Sequence, residues 1–371
     1  MRIAKLLLLA SVGLLAGCTA TAPKSSQSAV RDYNGTAAVG DFLTISIDSD
    51  AQTITYDNRT NGENGTVPYT VNADGSYTIT DPQGNLLSAY EVPGSVMVVE
   101  AANAGPGRDT VSLITAFESA PVSIQTVAGH NYNYTQFRTR DGGVELGSVS
   151  IDAGGNITSN SWDPNAIMWQ GGGTYFNGGT FPASSIQEDA SGDFFTIHEQ
   201  DGSSDTVFGT QNGLWAVDNP NGAIIGLPKA SSKNFDPAGA GTYSAIYYEK
   251  QNAQMQGQGN SSYEVGSPLE GKATITVTAA GAVTVTDSQS NVMASGTLVP
   301  VADASYIYDG TSNELADPCW GLFTFRSVTA SVHQDVFVTF QGNAVLFSSF
   351  QTALPLVNGG TYTYFYGVGL K

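Results

Sequence analysis

Positive charge, cysteine and histidine are all scarce in this 371-residue chain, which has 14 Lys and Arg, 2 Cys and 3 His. Each scarcity removes a class of function. With 33 acidic residues against those 14, and no basic run, a nucleic-acid partner is excluded on electrostatic grounds. Two cysteines cannot staple a chain of this length, so stability must come from buried apolar surface. His130, His198 and His333 are far apart in sequence, and His198-Glu199 lacks the second histidine of a zinc-protease helix. No Gly-x-Ser-x-Gly elbow or phosphate-binding glycine loop occurs. The expectation is no catalytic residue, no metal and no cofactor.

Long apolar runs are missing as well. The longest, from Leu6 to Leu15, is half the length a bilayer-spanning helix needs. It follows a cationic start (Arg2, Lys5) and leads into small residues, which is the layout of a secretory signal peptide. The run ends in Leu15-Ala16-Gly17-Cys18, which resembles the lipobox of bacterial lipoproteins. The resemblance implies cleavage before Cys18 and attachment of acyl chains to that cysteine. More than one chain gives stable anchoring. Thr19 stands where Asp would signal inner-membrane retention, so the resemblance points to the outer membrane, with the periplasmic or surface face left open. Loss of residues 1–17 takes Arg2 and Lys5 away and leaves 12 basic against 33 acidic residues, a formal charge of −21. The acidic surface disfavours binding to anionic lipid, leaving the lipid as the membrane link. Lipidation at Cys18 leaves Cys319, beside Trp320, as a small buried hydrophobe.

What the sequence has in abundance points to strands. Glycine (43), tyrosine (17) and phenylalanine (16) are plentiful, while charged residues are 13% of the chain. Helix surfaces carry long charged side chains, whereas strands favour Tyr, Phe, Val and Thr. At 41–48 the pattern alternates, with Leu43, Ile45 and Ile47 on one side and Phe42, Thr44, Ser46 and Asp48 on the other. Thr53-Ile-Thr-Tyr56 reads as the returning strand. The stretch 247–258 (YYEKQNAQMQGQ) is the best candidate for a short helix, and reads equally well as a polar loop.

The chain repeats itself. Residues 70–87 (TVNADGSYTITDPQGNLL) align without gaps to 276–293 (TVTAAGAVTVTDSQSNVM), with nine identities in eighteen positions. Each copy reads as strand, turn at Gly75 or Gly281, strand, and a second turn held by Asp81 and Asn85 or by Asp287 and Asn291. A shorter copy, Ser150–Thr158, contains Asp152 and Asn156. Acidic turns such as Asp48-Ser-Asp50 do not follow the ligand spacing of a calcium loop and read as ordinary Asx turns.

The fold expected is therefore all-β, with two or three tandem antiparallel β-barrel or β-sandwich modules built from repeated hairpins. The division reads 1–17 signal peptide, 18–32 lipidated tether, 33–138, 139–236 and 237–371 as β modules, with 33–138 and 139–236 readable also as one domain. The segment 161–181, with Trp162, Trp169, Tyr175 and Phe176 among flexible glycines, is the candidate ligand or partner surface. Taken together, the expectation is a non-catalytic lipoprotein that binds an envelope protein or glycan. The alternative is an envelope glycan hydrolase using paired carboxylates.

Overall fold

In the computed structural model, residues 29–104, 110–119, 123–137, 144–162, 184–189, 194–198, 202–209, 213–219, 222–256, 263–303, 319–329, 332–353 and 362–371 are described. Cys18, the tether up to residue 28 and most of the aromatic stretch lie outside them. Only the backbone of Trp162 falls within, opposite Leu146. Residues 30–32, read as the end of the tether, pair instead as the start of the first strand.

The alternation at 41–48 shows how the fold is built. Leu43, Ile45 and Ile47 bury one face of a strand, and Phe42 is buried on the opposite face in a separate apolar cluster. The first barrel runs through β1 (Val30–Ala37), β2 (Asp41–Asp48), β3 (Thr53–Asn58), β4 (Asn64–Val71), β5 (Tyr77–Thr80), β6 (Leu86–Val92), β7 (Val96–Ala104) and β8 (Thr110–Glu118). Each strand pairs antiparallel with the next, and β1 closes the ring against β8, with Tyr33 opposite Glu118. Closure removes the exposed edges of so much strand.

A second ring follows with the same topology. It comprises β9 (His130–Phe137), β10 (Val144–Ile151), β11 (Asn156–Trp162), β12 (Ser184–Glu188), β13 (Phe195–His198), β14 (Ser204–Gly209), β15 (Trp215–Asn219) and β16 (Gly222–Pro228). Strand β9 pairs with both β10 and β16. The sequence division at 138 had put β9 in the preceding module. Its tyrosines instead face the second interior, so the break falls between β8 and β9. The two rings close separately.

The third sheet contains β17 (Gly241–Gln256), β18 (Tyr263–Val277), β19 (Ala282–Asp287), β20 (Val292–Thr297), β21 (Val299–Pro300), β22 (Leu322–Thr329), β23 (Val332–Gln341), β24 (Ala344–Ala353) and β25 (Tyr362–Leu370). Its order runs β20-β19-β18-β17-β25-β24-β23-β22-β21. The two end strands are separated in the chain by Leu298 alone, and Leu298 is buried. One bent stretch thus pairs with β19 along its first half and with β22 along its second, nearly closing a third eight-stranded barrel. The candidate helix at 247–258 is not one. Its described part continues the long strand β17, because Tyr247 fills the barrel interior while Ile246 and Tyr248 face the outer core. Pairing on both edges, to β18 and β25, overrides the weak strand preference of Glu, Lys and Gln.

Each barrel has its own core, and a further apolar cluster lies between them. Phe42, Tyr90 and Phe117 from the first barrel, Phe137 and Phe208 from the second, and Tyr248 and Tyr366 from the third share this layer. Phe137 stacks on Tyr366 at 4.6 Å between ring centroids, and Phe42 stacks on Phe208 at 5.6 Å. Polar bonds cross each junction: Thr36 Oγ1 donates to Asp218 Oδ1 (2.9 Å), Asn133 Nδ2 to the carbonyl of Trp320 (2.8 Å), and Lys272 Nζ to Ser76 Oγ (2.8 Å). Cys319 is buried, as the sequence suggests.

The aspartate turns repeat in atomic detail. Asp81, Asp152 and Asp287 each accept from the backbone N–H four residues on and from the side chain of the asparagine there, Asn85, Asn156 and Asn291. These turns join the fifth and sixth strands of the first barrel, the second and third of the second, and the third and fourth of the third. The hairpin is therefore reused at different places around the ring.

Candidate functional site

Three barrels of one topology pose the question of which interior holds space. In the second, Tyr132, Phe195 and Trp215 fill the core. Trp215 lies directly across from Gly226, where a Cβ would stand 2.0 Å from the indole ring. The third is filled by Tyr243, Phe323, Phe325, Phe347 and Phe365. Phe347 sits opposite Gly367 in the same manner, a Cβ there meeting the ring at 2.5 Å. Glycine in these strands makes room for a ring on the neighbouring strand.

The first barrel is built differently. Its upper interior is lined by aliphatic side chains, among them Leu43, Ile45, Ile54, Val67 and Val99, around a cavity of about 320 Å³. That volume falls at the lower end of small-molecule sites. The lining reaches Asp41 after the β1–β2 turn, Asn61 and Glu63 in the β3–β4 turn, and Asp81 and Gln83 in the β5–β6 turn, so this end forms the rim. Tyr56 leans across Gly65 at the same end, with its hydroxyl 3.1 Å from where a Cβ would stand.

The opposite end is sealed by a charged floor. Arg31 Nε and Nη2 donate to the two oxygens of Glu91 at 2.7 and 2.8 Å, and the Glu91 side chain is fully buried. Tyr33 and Tyr77 each donate a hydroxyl to the same carboxylate. Burial raises both tyrosine pKa values, and the Glu91 bonds add to the effect. The bond to Glu91 likewise strengthens the hold of Arg31 on its proton. A buried ion pair with its remaining lone pairs satisfied by two hydroxyls is one that the interior can tolerate. None of these four residues lines the cavity, so the floor closes the cup beneath it.

Two other places gather carboxyl groups. Across the junction of the first and third barrels, Glu270 feels the charge of Glu100. Burial, then the Glu100 charge, pushes Glu270 up to about 8. Burial also raises Glu100, against the backbone bond it accepts from Ser88. Glu270 Oε2 has no hydrogen-bond partner among the described residues. Asp218 lines a groove between the first and second barrels with Asp32 and Asp57, and burial pushes it up to about 6 despite its bond from Thr36. Among the described residues no group of three or more His, Cys, Asp or Glu is arranged to hold a metal ion. His198 Nδ1 lies 3.3 Å from Ser204 Oγ, and His130 packs edge-on to Tyr132.

Sequence reasoning placed the candidate surface at Trp162, Trp169, Tyr175 and Phe176, of which only the Trp162 backbone is described. It did not find the cavity. A signal did exist: the interior positions Leu43, Ile45 and Ile47 of β2, Ile54 of β3 and Val67 of β4 are aliphatic, with Tyr56 and Tyr69 toward the two ends, whereas the other barrels place rings in the middle.

No family model and no curated protein matches the chain. Among solved structures it is similar to a protein of unknown function of the DUF3598 family from Nostoc punctiforme, at 8% identity, covering 92% of this chain and 95% of that one, with a TM-score of 0.19. It is also similar to Transferrin Binding Protein B, a vaccine antigen of Haemophilus parasuis, at 8% identity over 92% and 76% of the two chains, with a TM-score of 0.21. Likenesses this remote carry no argument about function. The class that the fold defines is an all-β protein of tandem eight-stranded meander barrels.

Proposed function

We propose that this chain is an outer-membrane lipoprotein, anchored through Cys18, that binds ligands without transforming them. One observation carries the binding reading: the first barrel has an aliphatic interior around a cavity opening toward a polar rim, with its far end sealed, whereas the described residues of the other two barrels fill their interiors with rings. The ligand is small and largely apolar. The aromatic stretch with Trp162, Trp169, Tyr175 and Phe176 is the proposed contact for an envelope protein or glycan.

Two experiments test this. Replacing Cys18 with Ser is expected to move the protein from the membrane to the soluble fraction, and continued retention would refute a lipid-only anchor. Val99→Phe places a ring in the cavity, so it is expected to abolish binding of an uncharged apolar probe such as decanol while the chain stays folded. The hydrolase reading has one observation in its favour, the raised carboxyl of Asp218 in a groove with Asp32 and Asp57. Release of reducing sugar from envelope glycan, lost in Asp218→Asn, would support it over the binding reading.

A further inference from the structure

The cavity of the first barrel has walls and rim of opposite chemistry. The walls are largely aliphatic, with Tyr56 and Glu100 also in the lining, and the rim presents Asp41, Glu63 and Asp81. Among the described lining residues there is no Lys, Arg or His. The β3–β4 turn does contain a cation, Arg59, but it pairs with Asp57 at 3.0 Å and lines the neighbouring groove instead. Carboxylates around the mouth of a low-dielectric cup concentrate negative potential where a ligand's head group would sit. An anionic head would meet like charge there, and a cationic one would be attracted.

We infer that the first barrel selects a slender apolar molecule with a cationic amino head, the body in the cup and the ammonium group at the rim. This rests on the binding reading above. The rim carboxylates do not contribute equally. Both Asp81 oxygens serve the turn, accepting from Gln83, Asn85 and the Asn85 side chain. Asp41 accepts from Asn58 Nδ2 at 2.9 Å and so is held at the mouth, while Glu63 is exposed there. With both Asp81 oxygens held within the turn, Asp41 is the specificity-determining carboxylate, and Glu63 adds to the negative charge of the rim.

Calorimetric titration of the full chain with decylamine, decanol and decanoate tests the inference. At low salt decylamine is expected to bind about ten-fold or more tighter than decanoate, with decanol between them, and added salt should narrow the gap. Asp41→Asn combined with Glu63→Gln should weaken decylamine several-fold and leave decanol unchanged. Should that double variant fail to fold, Glu63→Lys alone, at an exposed position, should weaken decylamine and strengthen decanoate. Decanoate binding as tightly as decylamine, or a rim variant that weakens decanol equally, would overturn the cationic preference while leaving the cavity intact as a site. Absence of binding by all three probes would overturn the binding reading itself.

Discussion

The first and third barrels share their meander and strand number but differ in what occupies them. Phenylalanines from β22, β24 and β25 meet in the middle of the third. The first keeps its tyrosines Tyr33, Tyr69 and Tyr77 toward the sealed end and surrounds the rest with Leu, Ile and Val. Eight strands enclose an interior just wide enough to be filled by side chains or to hold one small ligand. Ring placement decides between those outcomes here. The floor reinforces the contrast, because Arg31 and Glu91 close the first barrel with an ion pair where the third is closed by packing. Phe235, in the segment before β17, covers the third core against Phe323 and Phe340.

The largest effect should come from breaking the floor. Arg31→Met leaves the fully buried Glu91 without its counter-ion and is expected to cost about 3–5 kcal/mol in chemical denaturation. A next test sets the two interiors against each other. Val285→Phe adds a ring to the filled third barrel, where Val285 is 0% exposed, and should cost about 1–3 kcal/mol. Val99→Phe adds the same ring to the hollow barrel and should cost less than about 1 kcal/mol. Equal penalties would erase the distinction.

A third prediction concerns the junction joining these barrels. Glu270 holds its proton to about pH 8 in the folded chain, against an ordinary value of 4.5. The folded state thus binds more protons than the unfolded state between those values, and stability falls as pH rises through that window. Thermal melts should show a lower midpoint at pH 8 than at pH 5, with Glu270→Gln removing much of the difference. A midpoint that rises across this range in the parent and is unchanged in the variant would contradict it. The smallest effect is expected at the repeated turns. Asn85→Ala and Asn291→Ala each remove one side-chain bond to an aspartate and should each cost about 1 kcal/mol or less, and by similar amounts in the two barrels.

Much of the architecture could be read directly from residue patterns. Alternation located β2, and the repeated segments located three hairpin turns, in which an aspartate and the asparagine four residues on make the same hydrogen bonds. Other features were hidden for physical reasons. Strands such as β17 bury both faces, one inside a barrel and one between barrels, so alternation fades where the packing is densest. Gly226 and Gly367 carry no local signal of their role, since a glycine that accommodates a ring depends on a partner strand that local sequence does not name. The cavity was hidden similarly: it arises from rings missing on several strands at once, which no single segment reveals. The stretch 247–258 is strand where it is described because β18 and β25 flank it, which its own composition does not carry.

The central claim is that one barrel of three is a container. Calorimetric titration of the full chain and of Val99→Phe with decanol addresses it most directly. One site per chain, lost in the variant while its thermal midpoint is kept, is the predicted result. No binding by the parent chain, or binding unchanged by Val99→Phe, would contradict it.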